Sequence, residues 1–149
     1  MFTIIMQTIA AGVGTVAFCV LFRVPQKYFV YCGWIGMVQW VVYLLVNHGT
    51  GNSTASVFFA ALTIVFMSRY YAVKKKCPIT IFLVTGIFPL VPGAGIYRTV
   101  YFASTELFTL AVREGFDALK AAFAIAIAIA IGLRLPTNLF LRLNGQKVE

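Results

Sequence analysis

The stretch Gly86-Ile87-Phe88-Pro89-Leu90-Val91-Pro92-Gly93-Ala94-Gly95-Ile96-Tyr97-Arg98 holds the residue types and spacing that point most directly to chemistry. Two prolines and three glycines interrupt an otherwise apolar segment. Proline lacks the N–H that continues a helical ladder. The carbonyls it orphans cannot be satisfied by lipid, so such a break is tolerated only against protein or a watery cavity. A helix that resumes after the break aims its first amides and positive dipole end into that space, an arrangement that transporters use to hold carboxylates. Resumption is expected near Ala94 or Gly95, with Arg98 in the first turn and its guanidinium fork suited to a carboxylate. Tyr97 and Thr99 place hydroxyls beside it. The candidate substrate-binding set is therefore Pro89, Pro92, Gly93, Gly95, Tyr97 and Arg98, and the expected ligand is a small carboxylate-bearing molecule. The plainer alternative is a Pro-Gly bend, with Arg98 snorkelling to the outer interface.

Other polar residues are fewer and more ambiguous. Gln39 falls in the middle of an apolar run, Gln7 and Thr8 fall near the start of another, and Glu106 is the one acid near the break. Gln7, Gln39 and Glu106 are candidates to line a path, although a glutamine can equally hydrogen-bond a neighbouring helix. His48 sits beside glycines at a span end and reads as an interfacial loop residue. Cys19, Cys32 and Cys77 are odd in number and lack a Cys-x-x-Cys spacing, so they read as structural thiols, neither a disulfide framework nor a metal site. With one histidine and four acids there is no Gly-x-Ser-x-Gly elbow or phosphate-cradling glycine loop, and Gly93-x-Gly95 lacks the rest of a dinucleotide site. Neither an enzyme, a cofactor nor a metal is expected.

The elements that must position these residues follow from composition. Of 149 residues, 61% are hydrophobic and 11% are charged. A soluble domain carries about a quarter charged residues, and a small chain exposes much of its surface whatever its fold. The solvent for this surface is lipid. The net charge of +8 would suit nucleic acid, but the basic residues lie between apolar runs, where they report membrane topology and not a nucleic-acid face.

An all-α, polytopic transmembrane bundle is expected, a single membrane domain over residues 1–149 with about five spans. These are 2–22, 29–46, 53–71, a broken span 79–102 interrupted near 92–95, and 118–135. Arg23-Val24-Pro25-Gln26-Lys27 ends the first span, Asn47-His48-Gly49-Thr50-Gly51-Asn52 ends the second, and Ser53 is the expected N-cap of the third. The first run lacks a basic leader and reads as a retained helix. Arg23, Lys27, Lys74, Lys75, Lys76, Arg142 and Lys147 mark odd loops and the tail; loop two has no basic residue and the basic residues of loop four are offset by acids. The N-terminus is thus expected outside and the C-terminus in the cytoplasm, with Arg134 at the inner interface.

The alternating Ala-Ile run near the end has strand-like periodicity, but a lone strand would leave its backbone unpaired in lipid. As a helix, it places Ala122, Ala126 and Ala130 on one row and Ala124, Ala128 and Gly132 on another, nearly opposite. Small residues at four-spacing admit close helix contact. A helix shaped to be gripped on two sides implies a partner subunit or an oligomer.

Three segments carry a family resemblance: Val16-Ala17-Phe18-Cys19-Val20-Leu21-Phe22-Arg23-Val24-Pro25 with Cys32-Gly33-Trp34-Ile35-Gly36, then Ile87 to Arg98, then Ala130-Ile131-Gly132-Leu133-Arg134-Leu135-Pro136. In order and spacing they resemble the threonine/serine exporter family, and more narrowly its small-subunit form, of which one half of a two-chain succinate exporter is an example. The broken segment is similar to the family's Pro-x-x-Pro-Gly-x-x-x-Tyr motif, which carries Pro89, Pro92, Gly93 and Tyr97 and, in those members that have arginine after the tyrosine, Arg98. The resemblance implies a secondary exporter of threonine and serine or of a dicarboxylate such as succinate, in a prokaryotic cell membrane, working with a larger membrane subunit of the same family. The contrasting expectation is a non-transporting membrane scaffold that binds a partner through the Ala-rich helix.

Overall fold

The computed structural model describes residues 2–136 and Phe140. The tail charges Arg142 and Lys147 lie outside the described residues. Six helices follow in order: α1 Phe2–Leu21, α2 Phe29–Thr50, α3 Ser53–Lys75, α4 Thr80–Ile87, α5 Gly93–Ser104 and α6 Phe108–Arg134. Short 3-10 turns lie at Gln26–Tyr28 and Phe88–Leu90, and there is no strand among the described residues. Four helices are long and apolar enough to cross a bilayer, and α4 with its 3-10 turn forms with α5 a fifth candidate, bent by 44°.

Boundaries differ from the sequence-based spans in three instructive places. Helix α2 runs through Asn47, His48 and Gly49 to Thr50, and only Gly51, at φ +64°, leaves the helix. An αL glycine is a helix terminator that needs no further turn residues. The N-cap of α3 is Asn52 and not Ser53: the Asn52 Oδ1 accepts from the amides of Thr54 at 3.0 Å and Ala55 at 3.3 Å. Helix α6 starts at Phe108, ten residues before the expected span, so Arg113, Glu114 and Asp117 ride on a helix with Lys120 and not in a loop. The pair Asp117–Lys120, 2.5 Å apart at i,i+3 spacing, is one that a helix accommodates readily.

Packing follows the chain order at first. Helix α1 lies on α2, α2 on α3, and α4 fills the space beside α1, α2 and α3. Small residues set these distances. A Cβ built at Gly36 would fall 2.1 Å from Thr15 Oγ1 and 3.1 Å from the Ala11 carbonyl; one at Gly12 would meet Met37 at 2.6 Å. The core gathers Cys19, Cys32, Ile35, Ala60, Ala61, Ile64, Val65, Phe82 and Ala128 around α3. Helix α6 then lies against the far side of α3, where Ala124, Ala128 and Gly132 are buried. Gly132 is the close point, since a Cβ there would meet Val65 at 2.5 Å. Of the two small-residue rows, this one is gripped within the chain; Ala122, Ala126 and Ala130 are exposed.

Helix α5 is different. It packs chiefly on the first half of α6 and none of its residues is buried. Gly95 against Ala118 and Thr99 against Gly115 fix that pairing, each with a would-be Cβ contact of 3.2 Å.

Candidate functional site

The break does not fall where two half-helices meet in a line; it opens a pocket. Pro89 ends the backbone ladder of α4 in a 3-10 turn, Val91 is extended, and α5 restarts at Gly93. The Gly93 amide bonds back to the Val91 carbonyl at 2.7 Å, and the first α-type bond of the new helix is Ile96 N–H to Pro92 O at 3.1 Å. The amides of Ala94 and Gly95 are therefore first-turn donors beyond the reach of the helix's own carbonyls, and no side chain caps this end. Resumption comes one to two residues earlier than expected, which moves Arg98 from the first turn into the second.

A pocket of about 370 Å³ surrounds this point. Its floor and one wall come from Trp40 and Tyr43 of α2 and Ser53 and Val57 of α3. The break supplies Pro89 through Gly95, α5 adds Arg98, and α6 closes the opposite side with Glu114, Asp117, Ala118 and Ala121. It thus collects five of the six residues expected at the site: Pro89, Pro92, Gly93, Gly95 and Arg98. Tyr97 points elsewhere, exposed on α5 with its ring stacked on Tyr101 at 6.3 Å. Thr99 gives its hydroxyl to the Gly95 carbonyl at 2.8 Å, so it serves the helix pairing.

Charge in the pocket is mixed. Arg98 Nη1 lies 3.9 Å from Glu114 Oε2, with the arginine side chain 60% exposed. That separation and exposure leave the guanidinium open to a second carboxylate. Asp117 lies one turn beyond Glu114 on the α6 rim. Arg98, Glu114, an Asp117 already paired with Lys120, the first-turn amides and the aromatic faces of Trp40 and Tyr43 converge on one small volume. Chemically, this arrangement can hold a carboxylate against Arg98 and the α5 amides while an ammonium group sits among the acids and aromatic faces.

The path-lining candidates fare unequally. Gln7 is exposed on α1, and Glu106 occupies the α5–α6 turn at φ +60°; neither lines the pocket. Gln39 is fully buried in α2, next to Trp40. Two further groups of charged residues are not legible in the sequence. Glu114 and Asp117 look like loop charges until α6 is seen to extend under them. Arg69 hides in the apolar run of α3, where its Nη1 reaches the carbonyls of Gly132 at 2.9 Å, Leu133 at 3.0 Å and Leu135 at 2.5 Å. A cation inside a span is itself a signal, and here it caps the end of α6.

The sequence profile of the family described as "Threonine/Serine exporter, ThrE" matches residues 7–135, which include the whole break. A protein of Haemophilus influenzae, named only "Uncharacterized protein", is 25% identical over 147 residues, or 95% of this chain and 49% of the relative. The chain spans about half the length of that curated relative. No solved structure matches it.

Proposed function

This chain belongs to the threonine/serine exporter family, and from that premise we propose that it is the membrane subunit of a secondary exporter that binds its substrate in the pocket at the Pro92-Gly93 break. The observation that carries this reading is the convergence of Arg98, Glu114, Asp117 and the first-turn amides of α5 on one volume of about 370 Å³. Charge favours a zwitterionic amino acid such as threonine or serine over a dicarboxylate. A second carboxylate would have to sit near Glu114, which lies a loose 3.9 Å from Arg98 and leaves room for an α-ammonium group, while Asp117 is already paired with Lys120.

The pocket lies at the end of the bundle where α2 ends and α3 begins, away from Arg23, Lys27 and Lys74 to Lys76. With basic loops in the cytoplasm, the N-terminus is outside and the pocket faces the exterior of a prokaryotic plasma membrane. The whole chain acts as one membrane-embedded unit, and a larger subunit of the same family completes it. Two features support a partner: the relative has about as much sequence again beyond the matched half, and the row Ala122, Ala126, Ala130 is exposed on α6.

Deleting the gene in its native host and restoring it as wild type, Arg98→Ala or Ala126→Leu tests the reading by threonine, serine and succinate efflux. Wild type restores efflux, Arg98→Ala fails while still reaching the membrane, and Ala126→Leu fails through lost association. If Arg98→Ala transports normally while Ala126→Leu disrupts a complex, the chain is a scaffold and the pocket is not a substrate site.

A further inference from the structure

We propose that Gln39 is a substrate-contact residue of the export path, one whose amide is idle in the arrangement seen here and engages the substrate when the bundle opens below the pocket. This rests on the reading of the break pocket as the substrate site. Gln39 is 0% exposed, and neither its Oε1 nor its Nε2 has a hydrogen-bond partner among the described residues. Most other buried polar side chains are satisfied by their own helix. Thr15, Ser56 and Thr85 donate to the carbonyls of Ala11, Asn52 and Ile81 four residues earlier. A hydroxyl can bond back in this way; a glutamine with a donor and an acceptor to fill cannot satisfy both on its own turn.

Its position gives the idle amide a use. Gln39 is followed by Trp40, and Tyr43 stands one turn further along the same helix face; both line the pocket. The Trp40 Nε1 is buried and without a partner among the described residues as well. One turn in the other direction, Ile35 is fully buried, and Ile35 and Ile64 close over Gly86. A Cβ built at Gly86 would lie 2.9 Å from Ile64 Cγ2 and 3.3 Å from Ile35 Cγ2. Gln39 therefore lies in α2 between two pocket-lining aromatics on one side and, one turn away on the other, an Ile35–Ile64 contact closed over Gly86. The buried Ser68 hydroxyl, also without a partner among the described residues, has no residue of the break pocket adjacent to it. A leucine of similar length would sit at this place with no unpaired polar atoms. The amide is useful only if a polar guest reaches it, and the substrate's hydroxyl or carboxylate is the guest the neighbouring pocket admits.

Efflux of threonine and serine from the native host carrying wild type or Gln39→Leu, with thermal melting of each purified protein, tests this. The expected result is an efflux rate lowered about tenfold or more with a melting temperature equal to or above wild type, because a desolvated polar contact is lost and a buried polar group is removed. Efflux at the wild-type rate would overturn the inference. Should Gln39→Leu fold poorly, Gln39→Cys in a Cys19→Ala, Cys32→Ala, Cys77→Ala background decides it. Modification by a water-soluble thiol reagent, accelerated by threonine or serine, supports the proposal; a thiol equally unreactive with and without substrate refutes it. Absence of efflux in wild type would instead sink the exporter reading, so the two failures are distinguishable.

Discussion

Along α1 and α2 the helices approach until nothing more fits, with Gly36 pressed on Thr15 and Gly12 on Met37. Along α4, α5 and α6 small residues also abound, but Gly93 has no heavy atom within 4 Å of a would-be Cβ, and the space beside it is the pocket. Gly36 and Gly12 shut a seam, as Gly86 and Gly132 do where α4 and α6 meet the core; of the glycines at the break, Gly93 alone leaves backbone amides accessible. The polar inventory divides in the same way. Nothing charged lies within α1 or α2, while Arg98, Arg113, Glu114, Asp117 and Lys120 sit on α5 and α6. A closely packed, uncharged α1–α2 pair thus stands apart from the charged α5–α6 pair that follows the break, which is the division expected when one part holds position and another meets a ligand.

The sharpest way to break this contrast is to load the seam. Gly36→Leu places atoms where Thr15 and the backbone of Ala11 already are, and should destabilise by about 3 kcal/mol or more, read as a large fall in melting temperature in detergent. A melting point within a degree or two of wild type would show that α1 and α2 are not locked. Arg69→Ala comes next. It frees the carbonyls at the end of α6, and a loss of about 1–3 kcal/mol follows from the missing charged donor, with faster amide exchange around Gly132 as a local readout. Gly95→Leu is milder, since α5 packs chiefly on α6 and can shift. About 1–2 kcal/mol is expected, but with weakened substrate binding because Arg98 moves with the helix. Gly93→Ala is the smallest, within about 0.5 kcal/mol, because the added methyl meets open space. A large destabilisation there would contradict the open-pocket description.

Much of this contrast could be read from the chain itself. Long apolar runs bounded by Arg23-Val24-Pro25 and Lys74-Lys75-Lys76 specify spans, because a lone segment buries its backbone in lipid only as a helix. Pro89, Pro92 and Gly93 specify a break for the equally local reason that proline cannot donate. What resisted was anything decided by a neighbour. Arg113 to Lys120 look like loop charges, yet α5 lies along that turn of α6 and the helix extends through it. The two alanine rows are equivalent in sequence, and only the position of α3 selects Ala124, Ala128 and Gly132. Tyr97 and Arg98 are adjacent, and the helix phase set by a start at Gly93, and not at Ala94 or Gly95, turns one toward the pocket and the other away. Glu114 and Asp117 line the pocket only because α6 extends back to Phe108 and faces the break.

The central claim is that the break pocket holds the exported molecule. The most direct measurement is threonine and serine efflux from gene-deleted native cells restored with wild type or Arg98→Ala at equal membrane abundance. A pocket that grips the substrate carboxylate through Arg98 predicts efflux lowered about tenfold or more with an unchanged melting temperature, since the exposed Arg98–Glu114 pair contributes little to stability. Wild-type efflux from Arg98→Ala would contradict it.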